Sequence, residues 1–410
     1  MKIKDKLRIA LISTPLLKTP PETYGGLEAV VADLGLALAK LGHDVTVFAA
    51  DGSRVRGCRI MEIGPPAMET GDPVSLFEEE RRAYYVYKNM LDDFDLVHGH
   101  SWFGFEYLAK INNRKLKVCH TQHGSLHFGF RFRGKAFFKP FSVSEDLHAL
   151  LSCGDYNPFL KDLFMTTGFS NINLIAVSKW MTRFYEGQGY KSRWVHNGVN
   201  LERYEYKERK GDRLLFVGSI FPGKGPHLSI QVAKRLNMGL DIVGAISKSI
   251  VPNQSYVDEI KKMCDGKQIR FYPEESQRLN PRLKIELMQN AKCLLFTSAH
   301  GEAFGLVPLE AMACGTPVVA FNDGALEEFI QEGGIVCDAL KEEITPKAPP
   351  NHFCKVTAKC DLVDALASAV KRVDSITPAR CLENAKKFSK EHMAKCYNEL
   401  YSRIIAGEKW

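Results

Sequence analysis

Short apolar runs alternate with stretches of helical period along most of the chain. The runs are rich in Val, Ile, Leu and Phe, and each is about the length of a buried strand. They lie at residues 7–13, 44–50, 59–63, 95–98, 117–122, 173–178, 213–217, 240–244, 268–273, 293–298 and 316–321. Between them, apolar residues recur every three or four positions, as in the helix predicted from Gly26 to Gly42. Alternating strands and helices are typical of parallel α/β sheets.

A polar stretch at residues 202–212 separates two such alternating sets. The chain has 410 residues, enough for two hydrophobic cores. We therefore predict a first domain of residues 1–200 together with a C-terminal helix at 386–410, and a second domain of residues 211–385. An apolar stripe predicts one continuous final helix over residues 379–405.

Composition excludes several classes of protein. The net charge is +7, divided as +4 over residues 1–200 (25 basic, 21 acidic) and +3 over the rest, so nucleic acid is not expected as the main partner. Eleven cysteines without a Cys-x-x-Cys pair favour buried thiols over disulfides or a zinc site. No apolar run reaches the ~20 residues of a membrane helix, so we expect a cytoplasmic protein.

The stretch from Gly301 to Gly315 carries the most specific chemistry. It lies between two apolar runs, so it predicts a strand, loop, helix and strand in succession. Pro308 fits only in the first turn of a helix, which places the helix start near Gly305. Glu302 then lies in the loop and Glu310 inside the helix. Backbone N–H groups at the helix start are suited to bind phosphate at the carboxyl edge of the sheet.

Two carboxylates eight residues apart could be ordinary exposed acids, and that is the default interpretation for a lone pair. Here the spacing, the glycines, the proline and both flanking strands together favour a functional site. The stretch resembles the Glu-x7-Glu signature of family 4 glycosyltransferases, which are retaining nucleotide-sugar enzymes of GT-B fold. The resemblance implies two Rossmann-like, doubly wound domains facing a cleft, with the C-terminal helix crossing back to the first domain.

A second motif follows the first strand of the second domain. Lys224 lies in a glycine-bearing loop, where composition alone would favour an exposed lysine on a turn. The loop resembles the family's Gly-Arg-x4-Lys-Gly segment, whose two cations neutralise the donor diphosphate. Lys224 matches, but Ser219 stands where the family has arginine. Diphosphate binding is then expected to depend on Lys224, backbone N–H groups or a cation from elsewhere.

The first domain offers a glycine pair and several histidines. The loop before Gly25 and Gly26 is too long for a Gly-x-Gly-x-x-Gly turn, which argues against a dehydrogenase. The pair is either a simple turn or, as the resemblance implies, a place where the donor diphosphate approaches the backbone. His123 resembles the family's cleft histidine, which meets the donor sugar. His98 and His100 end another strand, and their residue type alone favours a structural role.

The resemblance assigns roles to individual residues. Glu302 and His123 are the expected catalytic residues, with Glu302 on the sugar hydroxyls and Glu310 on the ribose. The full set of expected donor-binding residues is Gly25, Gly26, Ser219, Lys224, Tyr272, Phe304, Gly305, Leu306, Val307 and Glu310. Tyr272 is included by position, because the family's loop after that strand lies against the base. We expect no cofactor and no essential metal, and no enzymic nucleophile is identifiable at the spacing of glycosidase carboxylates.

Residues 128–139 interleave four cations with five phenylalanines and contain no acid. This segment is either a surface loop anchored by its aromatic rings or a patch for anionic membrane or a phosphorylated acceptor.

The implied reaction transfers a hexose from a nucleoside-diphosphate sugar, UDP-sugar before GDP-mannose, to a carbohydrate, lipid-linked or small-molecule acceptor. The alternatives are a GT-B nucleotide-sugar epimerase and a nucleotide-sugar-binding protein without turnover, the latter suggested by Ser219.

Overall fold

A computed structural model describes residues 6–22, 25–67, 73–113, 115–123, 131–132, 135–136, 173–187, 191–246, 254–274, 281–299, 301–338 and 360–410. The chain divides into two compact units. Unit 1 comprises Met1–Gly198 and Lys390–Trp410, and unit 2 comprises Val199–Ser389. The predicted boundaries were residues 200, 211 and 385.

Unit 1 is built on a seven-stranded sheet of order β3-β2-β1-β4-β5-β8-β9, in which every pair is parallel. Its strands are β1 Arg8–Ile12, β2 Asp44–Ala49, β3 Arg59–Glu62, β4 Leu96–Gly99, β5 Val118–Gln122, β8 Asn173–Ala176 and β9 Arg193–Trp194. Two further strands, β6 Arg131–Phe132 and β7 Lys135–Ala136, form a separate antiparallel pair. Its helices are α1 Gly26–Lys40, α2 Pro73–Tyr87, α3 Glu106–Asn112, α4 Lys179–Glu186 and, from the end of the chain, the helix Lys390–Ile405.

Unit 2 has a six-stranded sheet of order β12-β11-β10-β13-β14-β15, again parallel throughout. The strands are β10 Leu214–Val217, β11 Leu240–Ala245, β12 Ile269–Glu274, β13 Cys293–Phe296, β14 Val318–Phe321 and β15 Gly334–Cys337. The helices are α5 Pro226–Leu236, α6 Gln254–Met263, α7 Pro281–Asn290, α8 Leu306–Ala313, α9 Leu326–Ile330, α10 Cys360–Arg372 and α11 Pro378–Lys386. The C-terminal helix of unit 1 is then α12. This strand order is that of a doubly wound sheet, which confirms the predicted fold class for both units.

The apolar pattern explains why these segments fold as they do. The central strands are buried along their whole length, as expected for a parallel sheet covered by helices. Helix α1 buries Val30, Val31, Leu34 and Leu38, which recur on one face of a helix. Each such side chain contributes roughly 1.5–3 kcal/mol when fully buried.

The prediction of one continuous final helix is wrong. Helix α11 ends at Lys386 and α12 begins at Lys390. In the intervening turn, the carbonyl of Phe388 accepts a hydrogen bond from the N–H of Val199 (2.9 Å), and Val199 forms a bridge with Ser389. The apolar stripe therefore belongs to two helices, and the chain returns to unit 1 at the break between them.

Candidate functional site

The topological switch point of unit 2 lies between β10 and β13, where strand order reverses. Open α/β sheets bind ligands at the carboxyl ends of the strands there. The loop after β10 forms a short 3-10 turn, Pro222–Lys224, that leads into α5. Gly225 adopts a left-handed φ of 68°, and a Cβ there would lie 2.5 Å from the carbonyl oxygen of Thr297. Only glycine permits this close approach, which brings Lys224 against the end of β13.

Lys224 and Glu302 form an ion pair at this switch point. The Lys224 Nζ lies 2.6 Å from Glu302 Oε2, and the hydroxyl of Ser298 donates to the same oxygen at 3.1 Å. The two charged side chains are 21% and 13% exposed. A largely desolvated carboxylate with two donors on one oxygen is held in a fixed orientation. The sequence therefore identified two residues that the fold brings into contact from 78 positions apart.

The loop that carries Glu302 is fixed through its backbone. The N–H of Gly301 donates to Asp323 Oδ2 at 2.7 Å, and the N–H of Ala325 donates to the Glu302 carbonyl at 2.9 Å. Gly324 has a φ of 63°, and a Cβ there would lie 2.1 Å from that carbonyl oxygen. The segment after β14 thus determines where the Glu302 backbone lies.

Helix α8 starts where Pro308 predicts, with Gly305 as its N-cap residue at a φ of 92°. Leu306 and Val307 are half-buried and open the helix, whose first N–H groups have no partner within the helix. Among the predicted donor-binding residues of this loop and helix start, Phe304 differs in that its side chain is packed inside the protein. Its ring is buried and lies 4.7 Å from that of Phe329, so its side chain is part of the core and only its backbone could face a ligand.

Glu310 has a lysine partner of its own. The Nζ of Lys284, on α7, lies 2.9 Å from Glu310 Oε2. These side chains are 25% and 13% exposed, so the pair closely matches the one at Glu302. Lys284 was not predicted. Lys284 is the fourth residue of α7 and lies 26 positions before Glu310. Nothing in the local sequence distinguishes it from any other polar residue on a helix.

Ser219 and Tyr272 occupy less specific positions. Ser219 is buried two residues beyond β10, and its carbonyl accepts from the N–H of Phe221 at 3.1 Å. Tyr272 is half-buried near the carboxyl end of β12, in register with Val243 of β11. Both residues lie at the carboxyl ends of strands in the unit 2 sheet, as Lys224 does.

In unit 1, Gly25 and Gly26 open α1 as predicted. Gly25 has a φ of 145°, and a Cβ there would lie 2.9 Å from the carboxylate of Glu28, which accepts a hydrogen bond from the Thr14 hydroxyl. Glu28 is buried in the first turn of α1, so its carboxyl group lies at the positive end of the helix. The glycine pair therefore offers close backbone approach at this helix start, and the only charged residue type among the described contacts of Gly25 is the acid Glu28.

His123 follows β5 and is half-buried. Its Nε2 lies 2.9 Å from Nδ1 of His100, which follows the neighbouring strand β4. Burial, followed by the nearby His120, lowers the pKa of His123 to about 3, so its ring is neutral near pH 7. Burial also lowers the pKa of His100 well below its usual range, with further contributions from the neighbouring histidines.

The remaining histidines of this cluster have structural partners. His98 is fully buried, with Nδ1 2.6 Å from the Tyr401 hydroxyl and Nε2 2.7 Å from the Thr121 hydroxyl. His120 Nδ1 lies 2.7 Å from a carboxylate oxygen of Glu106. The structural role that residue type favoured holds for His98, while the contact of His100 with His123 was not predicted.

Two other expectations concern metals and membranes. Among the described residues, no group of three or more His, Cys, Asp or Glu side chains could hold a metal ion. No helix in the described part of the chain is long and apolar enough to span a bilayer. Of the cationic, aromatic segment 128–139, only the backbones of β6 and β7 are described, so the side chains that carry that prediction lie outside the described residues.

Two family models match the chain in succession. Residues 24–203 match Glycosyltransferase Family 4, and residues 201–348 match Glycosyl transferases group 1. The second match contains Lys224, Glu302 and Glu310, and the first contains His123.

Individual proteins are similar to this chain over most of its length. A D-inositol 3-phosphate glycosyltransferase of Frankia alni is 26% identical over 365 residues, covering 78% of this chain and 83% of that protein. Among solved structures, AviGT4, a glycosyltransferase involved in avilamycin A biosynthesis, has a TM-score of 0.63 at 22% identity, covering 98% and 99% of the two chains. Sucrose-phosphate synthase from Thermosynechococcus elongatus has a TM-score of 0.65 at 19% identity, covering 98% and 100%. Anabaena HepE in complex with UDP-glucose has a TM-score of 0.57 at 15% identity, covering 97% and 99%.

Proposed function

We propose that this chain, which belongs to the group 1 glycosyltransferases of family 4 and has their GT-B fold, transfers a hexose from a nucleoside-diphosphate sugar to a hydroxyl acceptor with retention of the anomeric configuration. The observation that carries the proposal is the pair of lysine-bound carboxylates on either side of the start of α8. Glu302 and Glu310 lie at the carboxyl edge of a doubly wound sheet, which is where such sheets bind nucleotides.

Charge separation in the reaction explains the need for these groups. As the bond between the sugar carbon and the diphosphate oxygen breaks, its electron pair stays with the diphosphate and positive charge develops on the sugar. Lys224 and the first N–H groups of α8 stabilise the leaving diphosphate. Glu302 accepts hydrogen bonds from the sugar hydroxyls and stabilises the positive charge. The acceptor oxygen then forms the new bond on the same face, and its proton passes to the departing phosphate.

The two acids have different partners in the donor. Glu310, one turn into α8, accepts hydrogen bonds from the ribose hydroxyls and is held by Lys284. His123 keeps the role that the family resemblance gives it, a contact with the donor sugar. Gly25 and Gly26 allow the diphosphate to approach the backbone. Each carboxylate is already oriented by a lysine, so little reorganisation is needed when the donor binds.

Ser219 is uncharged where the family has a cation, so the proposal depends on the groups that remain. Charged groups are costly to bury without partners, and both acids have one. With Ser219 uncharged, Lys224 and the backbone of α8 supply the stabilisation of the diphosphate. The alternative that Ser219 suggested, a nucleotide-sugar-binding protein without turnover, is separated from a transferase by the assay below.

A donor panel tests the proposal. The full chain is incubated with UDP-, GDP- and ADP-sugars, and released nucleoside diphosphate is measured with and without candidate acceptors. The panel of acceptors begins with D-inositol 3-phosphate, because several relatives are named for that acceptor. Release that increases with acceptor, and a product with the donor's anomeric configuration by NMR, is the expected result. An altered sugar on an intact nucleotide would indicate an epimerase, and binding of a nucleotide sugar without release would indicate a binding protein.

A further inference from the structure

We propose that His100 is a positioning residue that holds His123 in the tautomer protonated on Nδ1, so that His123 acts as a hydrogen-bond donor to an oxygen of the donor sugar. The consequence for catalysis rests on the proposed function, but the tautomer itself does not. The starting observation is the 2.9 Å contact between His100 Nδ1 and His123 Nε2.

One ring nitrogen must donate in this contact and the other must accept. If His123 donated from Nε2, neutral His100 would carry its proton on its own Nε2. That nitrogen is buried and has no hydrogen-bond partner among the described residues. A buried N–H without a partner is rarer in proteins than an under-used acceptor. The favoured arrangement is therefore His100 Nδ1–H donating to His123 Nε2, which leaves only a lone pair on the orphan nitrogen.

The charged form of His100, in which both nitrogens donate, is disfavoured by its surroundings. The side chain is fully buried, and its ring lies 4.0 Å from that of His98. Burial and the nearby histidines hold the pKa of His100 well below its usual range. With both rings neutral, the direction of the contact fixes both tautomers: Nδ1–H on His100 and Nδ1–H on His123.

The ring beside His100 is held in place by residues near the end of the chain. His98, whose ring is tilted by 41° against that of His100, is bound on both nitrogens, by Tyr401 of α12 and by Thr121 of β5. The Thr121 hydroxyl also contacts Tyr397 at 2.9 Å. All of these groups lie in unit 1. The His100 ring therefore lies against a neighbour that is held on both of its nitrogens.

The consequence is a defined chemical role for His123. Its Nε2 lone pair is occupied and its Nδ1 carries a proton, so the ring can donate a hydrogen bond but cannot accept a proton as a general base. A donor suits a sugar hydroxyl oxygen, and a base is not required because the leaving phosphate takes the acceptor's proton.

Ring-nitrogen NMR of the full chain labelled at histidine tests the tautomer directly. The 15N chemical shifts of His123 are expected to show a protonated Nδ1 and an unprotonated Nε2 in the wild-type chain, which requires no variant to fold. A protonated Nε2 would overturn the inference. This result is independent of whether transfer is observed, so it separates failure of the inference from failure of the proposed function.

Two variants of similar shape test the positioning role. His100→Asn keeps an amide donor near the position of Nδ1, while His100→Leu removes it. We expect His123 to keep its tautomer in His100→Asn and to lose it in His100→Leu. With the donor that the panel identifies, kcat should stay within about 3-fold of wild type for Asn and fall roughly 10-fold for Leu, the size expected for the loss of one net hydrogen bond. Equal kcat values for the two variants, or an unchanged tautomer in His100→Leu, would refute the assignment.

Discussion

The two carboxylates of the motif offer a matched comparison, because each is 13% exposed and each is bound by one lysine. Glu302→Gln and Glu310→Gln keep the shape of the side chain and remove one charge. If Glu302 contacts the donor sugar and Glu310 contacts the ribose, as we propose, Glu302→Gln lowers kcat and Glu310→Gln weakens nucleotide binding. A purely structural role would make the two variants alike.

The structure sets the size of each effect. Removing one partner of a buried ion pair costs roughly 3–5 kcal/mol, and the residual exposure of both pairs reduces this to about 1–3 kcal/mol of folding stability for either variant. Loss of one preorganised electrostatic group in a transition state costs about 10²–10³ in kcat. A hydrogen bond to a charged group contributes ~1.5–3 kcal/mol, so the ribose contact that we propose for Glu310 corresponds to roughly 10–100-fold in Kd.

Three measurements separate these effects. Urea denaturation gives the change in the free energy of unfolding, calorimetry gives the Kd for the nucleoside diphosphate, and product release gives kcat. We expect similar losses of stability, a kcat defect confined mainly to Glu302→Gln, and a Kd defect confined to Glu310→Gln. Weaker binding of the nucleoside diphosphate at an unchanged kcat in Glu302→Gln, or loss of the same parameter in both variants, would refute this division of roles.

Two further substitutions test the groups that position these acids. Lys284→Met removes the lysine that pairs with Glu310, so the KM for the donor should rise about 10-fold. The control is Lys292→Met. Lys292 is about as exposed as Lys284, but its acidic partner is 74% exposed, so the KM should stay unchanged. Gly324→Ala places a Cβ against the Glu302 carbonyl and should lower kcat by at least about 10-fold. Gly266→Ala has a similar positive φ of 73° but open space around the new methyl, so it controls for backbone strain. Equal kcat values in the two alanine variants would exclude displacement of Glu302 as the cause.

Local signals in the sequence predicted the central motif well. Pro308 and Gly305 fixed the helix start because a proline lacks an N–H and a positive φ requires glycine. Lys224 was identified from a loop pattern, and its contact with Glu302 follows once the two loops share one switch point. Such features are readable because their causes lie within a few residues of each other.

The missed features depend on contacts between distant segments. His100 and His123 meet because β4 and β5 are neighbours in the sheet, and neither residue's local sequence shows that pairing. The break between α11 and α12 is another example. The apolar stripe continues through Phe388. The carbonyl of Phe388, however, accepts a hydrogen bond from the N–H of Val199, almost 190 positions earlier in the chain. Lys284 was missed because its helix position gave no indication of its partner.

The central claim is that the carboxyl edge of the unit 2 sheet binds the nucleoside diphosphate of the donor. A crystal structure of the full chain with UDP, or with whichever nucleotide the panel selects, tests it most directly. We expect the ribose hydroxyls within about 2.6–3.2 Å of the Glu310 carboxylate, and phosphate oxygens at similar distances from Lys224 Nζ and the first N–H groups of α8. A nucleotide bound elsewhere, with both lysine–carboxylate pairs of unit 2 untouched, would contradict the account.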